Sequence, residues 1–226
     1  MTKTYYLSVD WGALNDYTAI VILEVENGRG SVVHLQRLEL GTPYPAQVDT
    51  VKGIYSSLQM FRLPITVVSD TTGIGRPISD LLNAAGIQHV ALTITGGTTP
   101  TKTGNEWHVP KRDIISSLLV ALQSDLLKIS HNLTHAVTLT NELQNFKIKV
   151  KARTGNASFE AWRESDHDDM LLATAQACYC AGIGRPPERA VSRPRPDMNT
   201  RGIPVKPKPG IGFFEPRNRS RGIIGL

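Results

Sequence analysis

The chain of 226 residues is poor in the residues that mark several protein classes. It has two cysteines, Cys178 and Cys180, one residue apart in an apolar run. They are too close for an ordinary structural bridge and read as reduced thiols in a reducing compartment. Two cysteines in one place do not make a structural zinc site, which takes four ligands. No apolar run approaches the roughly 20 residues that span a bilayer, so no membrane role is expected. The stretch from Met1 to Asp10 is too short and too polar to read as a signal peptide. Apolar residues make up 40% and charged residues 20%, which excludes a wholly disordered chain and a coiled coil.

Positive charge is unevenly spread. From Gly184 to Leu226 there are ten Lys and Arg against three Asp and Glu, while residues 1 to 183 carry 15 against 17. The same C-terminal stretch has Pro194, Pro196, Pro204, Pro207, Pro209 and Pro216, which interrupt any helix or central strand. The sequence therefore divides into a mildly acidic globular domain, 1–183, and a basic Pro/Arg/Gly-rich tail, 184–226. A basic tail suits nucleic acid or an acidic protein partner; the plainer reading is a solvated segment that aids solubility. Its removal is expected to leave the fold intact.

The domain alternates strand and helix signals. Tyr5 to Asp10, Tyr17 to Val25 and Ser31 to Leu40 read as strands, the last two as a hairpin around Asn27-Gly28-Arg29-Gly30. Pro45 to Phe61 has helical spacing, and Ile65 to Asp70 is a compact buried strand. A helix over Pro77 to Ala85, a strand over Gln88 to Thr95, a polar loop over Gly96 to Val109 and a helix over Pro110 to Leu127 follow. His131 to Phe146 reads as helical around Leu139 to Leu143. Lys147 to Trp162 reads as a hairpin turning at Thr154-Gly155-Asn156, and Asp168 to Ala181 as a helix. The order predicts an α/β domain with one mixed five-stranded sheet, helices on both faces and an extra β-hairpin. Strands one and four are expected side by side with their ends together.

Acidic residues stand at particular places in this order. Asp10 closes strand one and Asp70 closes strand four, while Asp166, Asp168 and Asp169 cluster at the start of the last helix. Singly, each has an ordinary role as a turn residue or helix cap. Jointly, they gather carboxylates at one sheet edge, where they repel one another and raise each other's pKa. A divalent cation removes that penalty, and an all-oxygen donor set points to Mg²⁺ or Mn²⁺. Two such ions bridged by an aspartate of the central strand suit phosphodiester hydrolysis.

The strand–hairpin order with Asp10-Trp11-Gly12, the run Ser69-Asp70-Thr71-Thr72-Gly73-Ile74-Gly75 and the run His167-Asp168-Asp169-Met170-Leu171-Leu172-Ala173 resemble the nuclease domain of the large terminase subunit of tailed phages. The resemblance covers roughly residues 4 to 183. It implies a ribonuclease H-like fold and an endonuclease that cuts concatemeric double-stranded viral DNA during genome packaging with two Mg²⁺ or Mn²⁺ ions. It makes Asp10 the bridging metal ligand, Asp70 the second ligand and Asp168 and Asp169 the acidic pair, all four catalytic. Asp166 stands at the place, three residues before Asp169, where many relatives carry a histidine, with His167 next to it, and is a further candidate ligand. The implied partners are an ATPase motor domain, the portal and the small terminase subunit, and the implied location is the host cell cytoplasm. The stretch Gly97 to Thr103 has the outline of a phosphate loop, but Thr101 stands where glycine is required. The chain thus reads as the nuclease part alone, a fragment starting at an added Met1.

Lys147, Lys149, Lys151 and Arg153 alternate with apolar residues and share one face of a strand. They either guard an edge strand or neutralise DNA phosphates without reading bases. Lys111 and Arg112, at the start of the long helix, are further candidates for phosphate contact. Two other functions compete with the terminase reading: a Holliday-junction resolvase or transposase-like nuclease, and a catalytically silent DNA-packaging adaptor.

Overall fold

A computed structural model describes residues 3–150, 157–161 and 168–185. These lie within one compact unit, Met1–Pro187, and the second unit, Glu188–Leu226, lies outside the described residues. The elements run β1 (Thr4–Asp10), β2 (Ala19–Glu26), β3 (Arg29–Arg37), α1 (Tyr44–Met60), β4 (Ile65–Asp70), α2 (Arg76–Ala84) and β5 (His89–Thr95). They continue as β6 (Thr101–Thr103), β7 (Glu106–Pro110), α3 (Lys111–Gln123), β8 (Leu127–Ile129), α4 (Ala136–Asn145), β9 (Phe146–Val150), β10 (Ala157–Ala161) and α5 (Asp169–Ala181).

The mixed sheet and its covering helices are those expected from the element order, but the sheet has eight strands rather than five, ordered β6-β7-β5-β4-β1-β2-β3-β8. The five expected strands form its middle. β1 pairs antiparallel with β2 and parallel with β4, so the aspartates that close β1 and β4 arrive at the same edge. The additional strands come from segments whose composition suggests a loop and the end of a helix. Within the expected loop 96–109, β6 and β7 pair antiparallel about Gly104, whose φ of +58° suits glycine. Val109 of β7 is fully buried, and the Trp107 ring carries the Lys102 ammonium 3.7 Å from its centroid. These apolar anchors outweigh the polar composition of the segment. The long helix stops at Gln123 instead of running to Leu127, because Asp125 takes φ +53° and the Leu126 N–H turns back to the Ala121 carbonyl at 2.8 Å. The freed residues form β8, parallel to β3.

Both faces of the central strands are buried. On β2, Ala19, Val21 and Leu23 join the core with α3, α4 and α5, while Ile20 and Ile22 join a second core with α1 and α2. This two-sided burial explains why the central strands read as continuous apolar runs. α5 is buried almost all round, and its Ala173, Thr174, Ala175 and Ala177 allow close approach to β1 and β2. Cys178 and Cys180 are free thiols, both pushed up to about 12 by burial. β9 and β10 form a separate antiparallel pair, the extra hairpin in the expected place, and its turn lies outside the described residues. Among the described residues no helix is long and apolar enough to cross a membrane.

Candidate active site

The strand alternation decides which face each acid uses. Leu7 and Val9 point into the α1 core, so Ser8 and Asp10 point toward α5. On β4, Val68 points to the α5 side and Asp70 has the same parity. The two aspartates therefore emerge together at the C-terminal ends of adjacent parallel strands. The N-terminus of α5 brings Asp168 and Asp169 to the same place. Asp168 is the N-cap residue of α5, yet its side chain makes no capping hydrogen bond.

The electrostatics record this convergence. Asp10 has a pKa raised well above the ordinary carboxylate value, first by burial, then by the charges of Asp70, Asp169 and Asp168. It keeps part of its surface open at the sheet edge, whereas Asp70 and Asp169 are each 6% exposed. Asp70 is raised too, again mainly by burial, with hydrogen bonds opposing the shift. Its Oδ1 accepts the Thr72 N–H at 2.7 Å, closing a turn, and its Oδ2 accepts the Gln176 amide at 2.8 Å. Lys111 lowers the pKa of both aspartates, and its Nζ lies 3.6 Å from Asp168 Oδ2.

On the other side of Asp169 stands an ion-pair chain. Arg37 Nη2 makes a close bond to Glu142 Oε1 and lies 3.5 Å from Asp169 Oδ2. Glu142 Oε2 accepts the Leu171 N–H at 2.7 Å, so this α4 residue caps α5 in place of Asp168. Burial pushes Glu142 up to about 7, against the pull of the Leu171 N–H and Arg37. Neither residue is signalled by periodicity. A glutamate between Leu139 and Leu143 reads as a solvated helix face, and Arg37 is placed only by the register Asp10–Ala19–Arg37 across three strands. Gln176 is likewise hidden in a run of small residues.

The remaining candidate positions fall elsewhere. Arg112 Nη2 donates to the Thr98 carbonyl at 3.3 Å and its Nε to Asp113 Oδ1 at 3.3 Å. Lys147 and Lys149 are on β9, opposite Glu160 and Ser158 of β10. Lys151, Arg153 and Asp166 lie outside the described residues.

Among the described residues no three His, Cys, Asp or Glu side chains form a ready-made cation cage. The chemistry of the site nevertheless fits a hard cation. Its donors are carboxylate oxygens held near one another at an energetic cost, and the buried Gln176 Oε1 beside Asp70 has no hydrogen-bond partner among the described residues.

A family model described as "Terminase RNaseH-like domain" matches residues 7–179. The large terminase subunit of Thermus virus P23-45 is 27% identical over 192 residues, covering 84% of this chain and 35% of that protein. The large subunit of Thermus phage G20c is 26% identical over the same length, with the same coverage of each chain. The chain thus spans only about a third of the length of these relatives. Among solved structures, the large terminase nuclease of the thermophilic phage G20c with bound magnesium superposes with a TM-score of 0.60 at 25% identity, over 78% of this chain and 81% of that one. The large terminase nuclease domain of Thermus phage P74-26 shares the fold at 24% identity, with a TM-score of 0.57 over 77% of this chain and 78% of that one. A match running from β1 almost to the end of α5 takes in both strand-end aspartates and the acidic helix start, and on it the chain belongs to the terminase RNaseH-like domain family.

Proposed function

We propose that this chain is a metal-dependent endonuclease that cuts double-stranded viral DNA during genome packaging, with little sequence preference. One observation carries the reading: Asp10, Asp70, Asp168 and Asp169 meet at one sheet edge, where burial and mutual repulsion raise the pKa of Asp10. Four crowded carboxylates cost the fold energy, and a bound cation offsets that cost. The bound magnesium of the G20c nuclease supports the same chemistry here.

Asp10, Asp70, Asp168 and Asp169 would hold the cations, and Asp166 is a further candidate ligand. Two bound Mg²⁺ or Mn²⁺ ions supply a more acidic water and stabilisation of the charge that builds on phosphate and leaving oxygens. Gln176 and the Thr72 N–H fix the Asp70 carboxylate from two sides. Lys111 offsets part of the negative charge beside Asp168, and its ammonium is a candidate contact for a phosphate. Lys147, Lys149, Lys151 and Arg153 bind the DNA backbone without reading bases. The chain covers about a third of relatives named large terminase subunits, and on the resemblance we assign it an ATPase motor domain, the portal and the small subunit as packaging partners.

Incubation of supercoiled plasmid with the full chain and Mn²⁺, against an EDTA control, tests the reading. Nicked and linear products only with Mn²⁺ are expected. Intact plasmid in both would favour a DNA-packaging adaptor that keeps the fold without the chemistry.

A further inference from the structure

Arg37 is an unusual neighbour for a cation site. It ends β3 in register with Ala19, which itself pairs with Asp10, so Arg37 and Asp10 stand on one row and one face of the sheet. The side chain is 16% exposed, and its guanidinium carbon lies 4.4 Å from the centroid of the Tyr17 ring. Asp169 Oδ2 is only just within reach at 3.5 Å, and the closer contact is to Glu142. Glu142 is itself 5% exposed and is anchored to the first turn of α5 through the Leu171 N–H. Among the described residues the buried Arg37 Nε has no hydrogen-bond partner, and the guanidinium is held through Nη2.

A positive group so close to Asp169 opposes any cation that Asp169 binds. Glu142 supplies the compensation. Its carboxylate takes the guanidinium and leaves Asp169 with the weaker share. We propose that Glu142 is a positioning residue that retains Arg37 away from Asp169, and that this retention sets the affinity of the site for its cations. The inference rests on the metal-site reading above. It adds two residues, Arg37 on β3 and Glu142 on α4, to the four acids. Without the Glu142 charge, Arg37 transfers to Asp169 and competes with the incoming cation. Without Arg37 there is nothing to retain, and Glu142 becomes dispensable for cation binding.

The test is a double-mutant cycle read by Mn²⁺ binding to the DNA-free full chain, followed by the electron paramagnetic resonance signal of free Mn²⁺. Glu142→Gln keeps the shape and an oxygen for the Leu171 N–H but removes the charge. Its Mn²⁺ dissociation constant should rise about tenfold, within the usual range for coupled sites. Arg37→Met should bind as tightly as the parent or tighter, and Glu142→Gln/Arg37→Met should return to within about threefold of the parent. A residue that merely caps α5 would give no such rescue. Parent-like binding by Glu142→Gln, or a double mutant as weak as Glu142→Gln, overturns the proposal while leaving the metal site standing. A parent that takes up no Mn²⁺ overturns the metal site and this inference with it. If Glu142→Gln does not fold, Arg37→Met decides alone, because weaker binding by that variant contradicts a retained competitor.

Discussion

The two faces of the sheet, at the same end of β1, treat polar groups in opposite ways. On the α1 face they form a closed set. The Gly12 N–H donates to Thr18 Oγ1 at 2.9 Å, the Thr18 hydroxyl to Gln47 Oε1 at 2.8 Å, and the Gln47 amide to the Gly12 and Thr42 carbonyls at 3.0 and 2.6 Å. The Trp11 indole N–H completes the layer on Ser69 Oγ at 2.8 Å. On the α5 face, four carboxylates repel one another, and the buried Ser8 Oγ, Arg37 Nε and Gln176 Oε1 have no partners among the described residues. One face satisfies its buried polar groups, as structural interiors do. The other keeps costly, unpaired groups where acids converge, which is how binding and catalytic sites differ from scaffolds.

That contrast can be broken from either side. The largest stability effect is expected on the closed face. A Cβ at Gly12 would sit 2.0 Å from the Asp16 carbonyl oxygen, a backbone atom that cannot move alone. Gly12→Ala should lose about 3 kcal/mol or more in chemical denaturation. A parent-like midpoint would show that the 12–17 loop is not a rigid support. Gln47→Leu removes three hydrogen bonds and leaves buried partners unmatched, for a loss of about 1–3 kcal/mol with unchanged Mn²⁺ binding. Altered Mn²⁺ affinity in that variant would mean the two faces are not separable.

The open face should respond with the opposite sign. The folded state raises the Asp10 pKa, so it binds protons more tightly than the unfolded chain, and stability falls as pH rises through that window. Glu142, pushed up to about 7, adds a contribution of the same sign between the ordinary glutamate value and neutrality. In EDTA, Asp10→Asn should therefore melt above the parent at pH 7, with the gain vanishing toward about pH 3, below the ordinary aspartate value, where Asp10 is protonated in both states. A constant difference across this range would rule out carboxylate repulsion as its cause. The smallest effect on stability is expected from changing Lys147, Lys149 and Lys151 together to Ala. Here only the slope of log affinity for DNA against log salt should fall, by roughly two to three, near 0.9 per lost phosphate contact. An unchanged slope would assign those lysines to guarding an edge strand.

What the sequence makes legible follows the same division. Asp10 and Asp70 stand out because each ends an apolar run, and the order of strands alone places β1 beside β4. α5 is legible from its small residues after an acidic start. Glu142, Arg37 and Gln176 are not, because a polar residue inside an apolar pattern looks solvated until tertiary pairing supplies its partner. β6, β7 and β8 escape for a different reason. They are three to five residues long and take their order from neighbouring strands rather than from their own composition.

The most direct test of the central claim is Asp10→Asn measured three ways: plasmid cleavage and DNA affinity in Mn²⁺, and melting temperature in EDTA. Asp10 is the acid whose charge the three others oppose, and an amide is a poorer ligand for a hard cation than a carboxylate. Cleavage should fall by at least about a hundredfold, while DNA affinity barely changes because basic residues supply it. The melting temperature should hold or rise. An Asp10→Asn protein that cuts DNA at the parent rate would contradict the assignment of this carboxylate edge as a metal-dependent nuclease site.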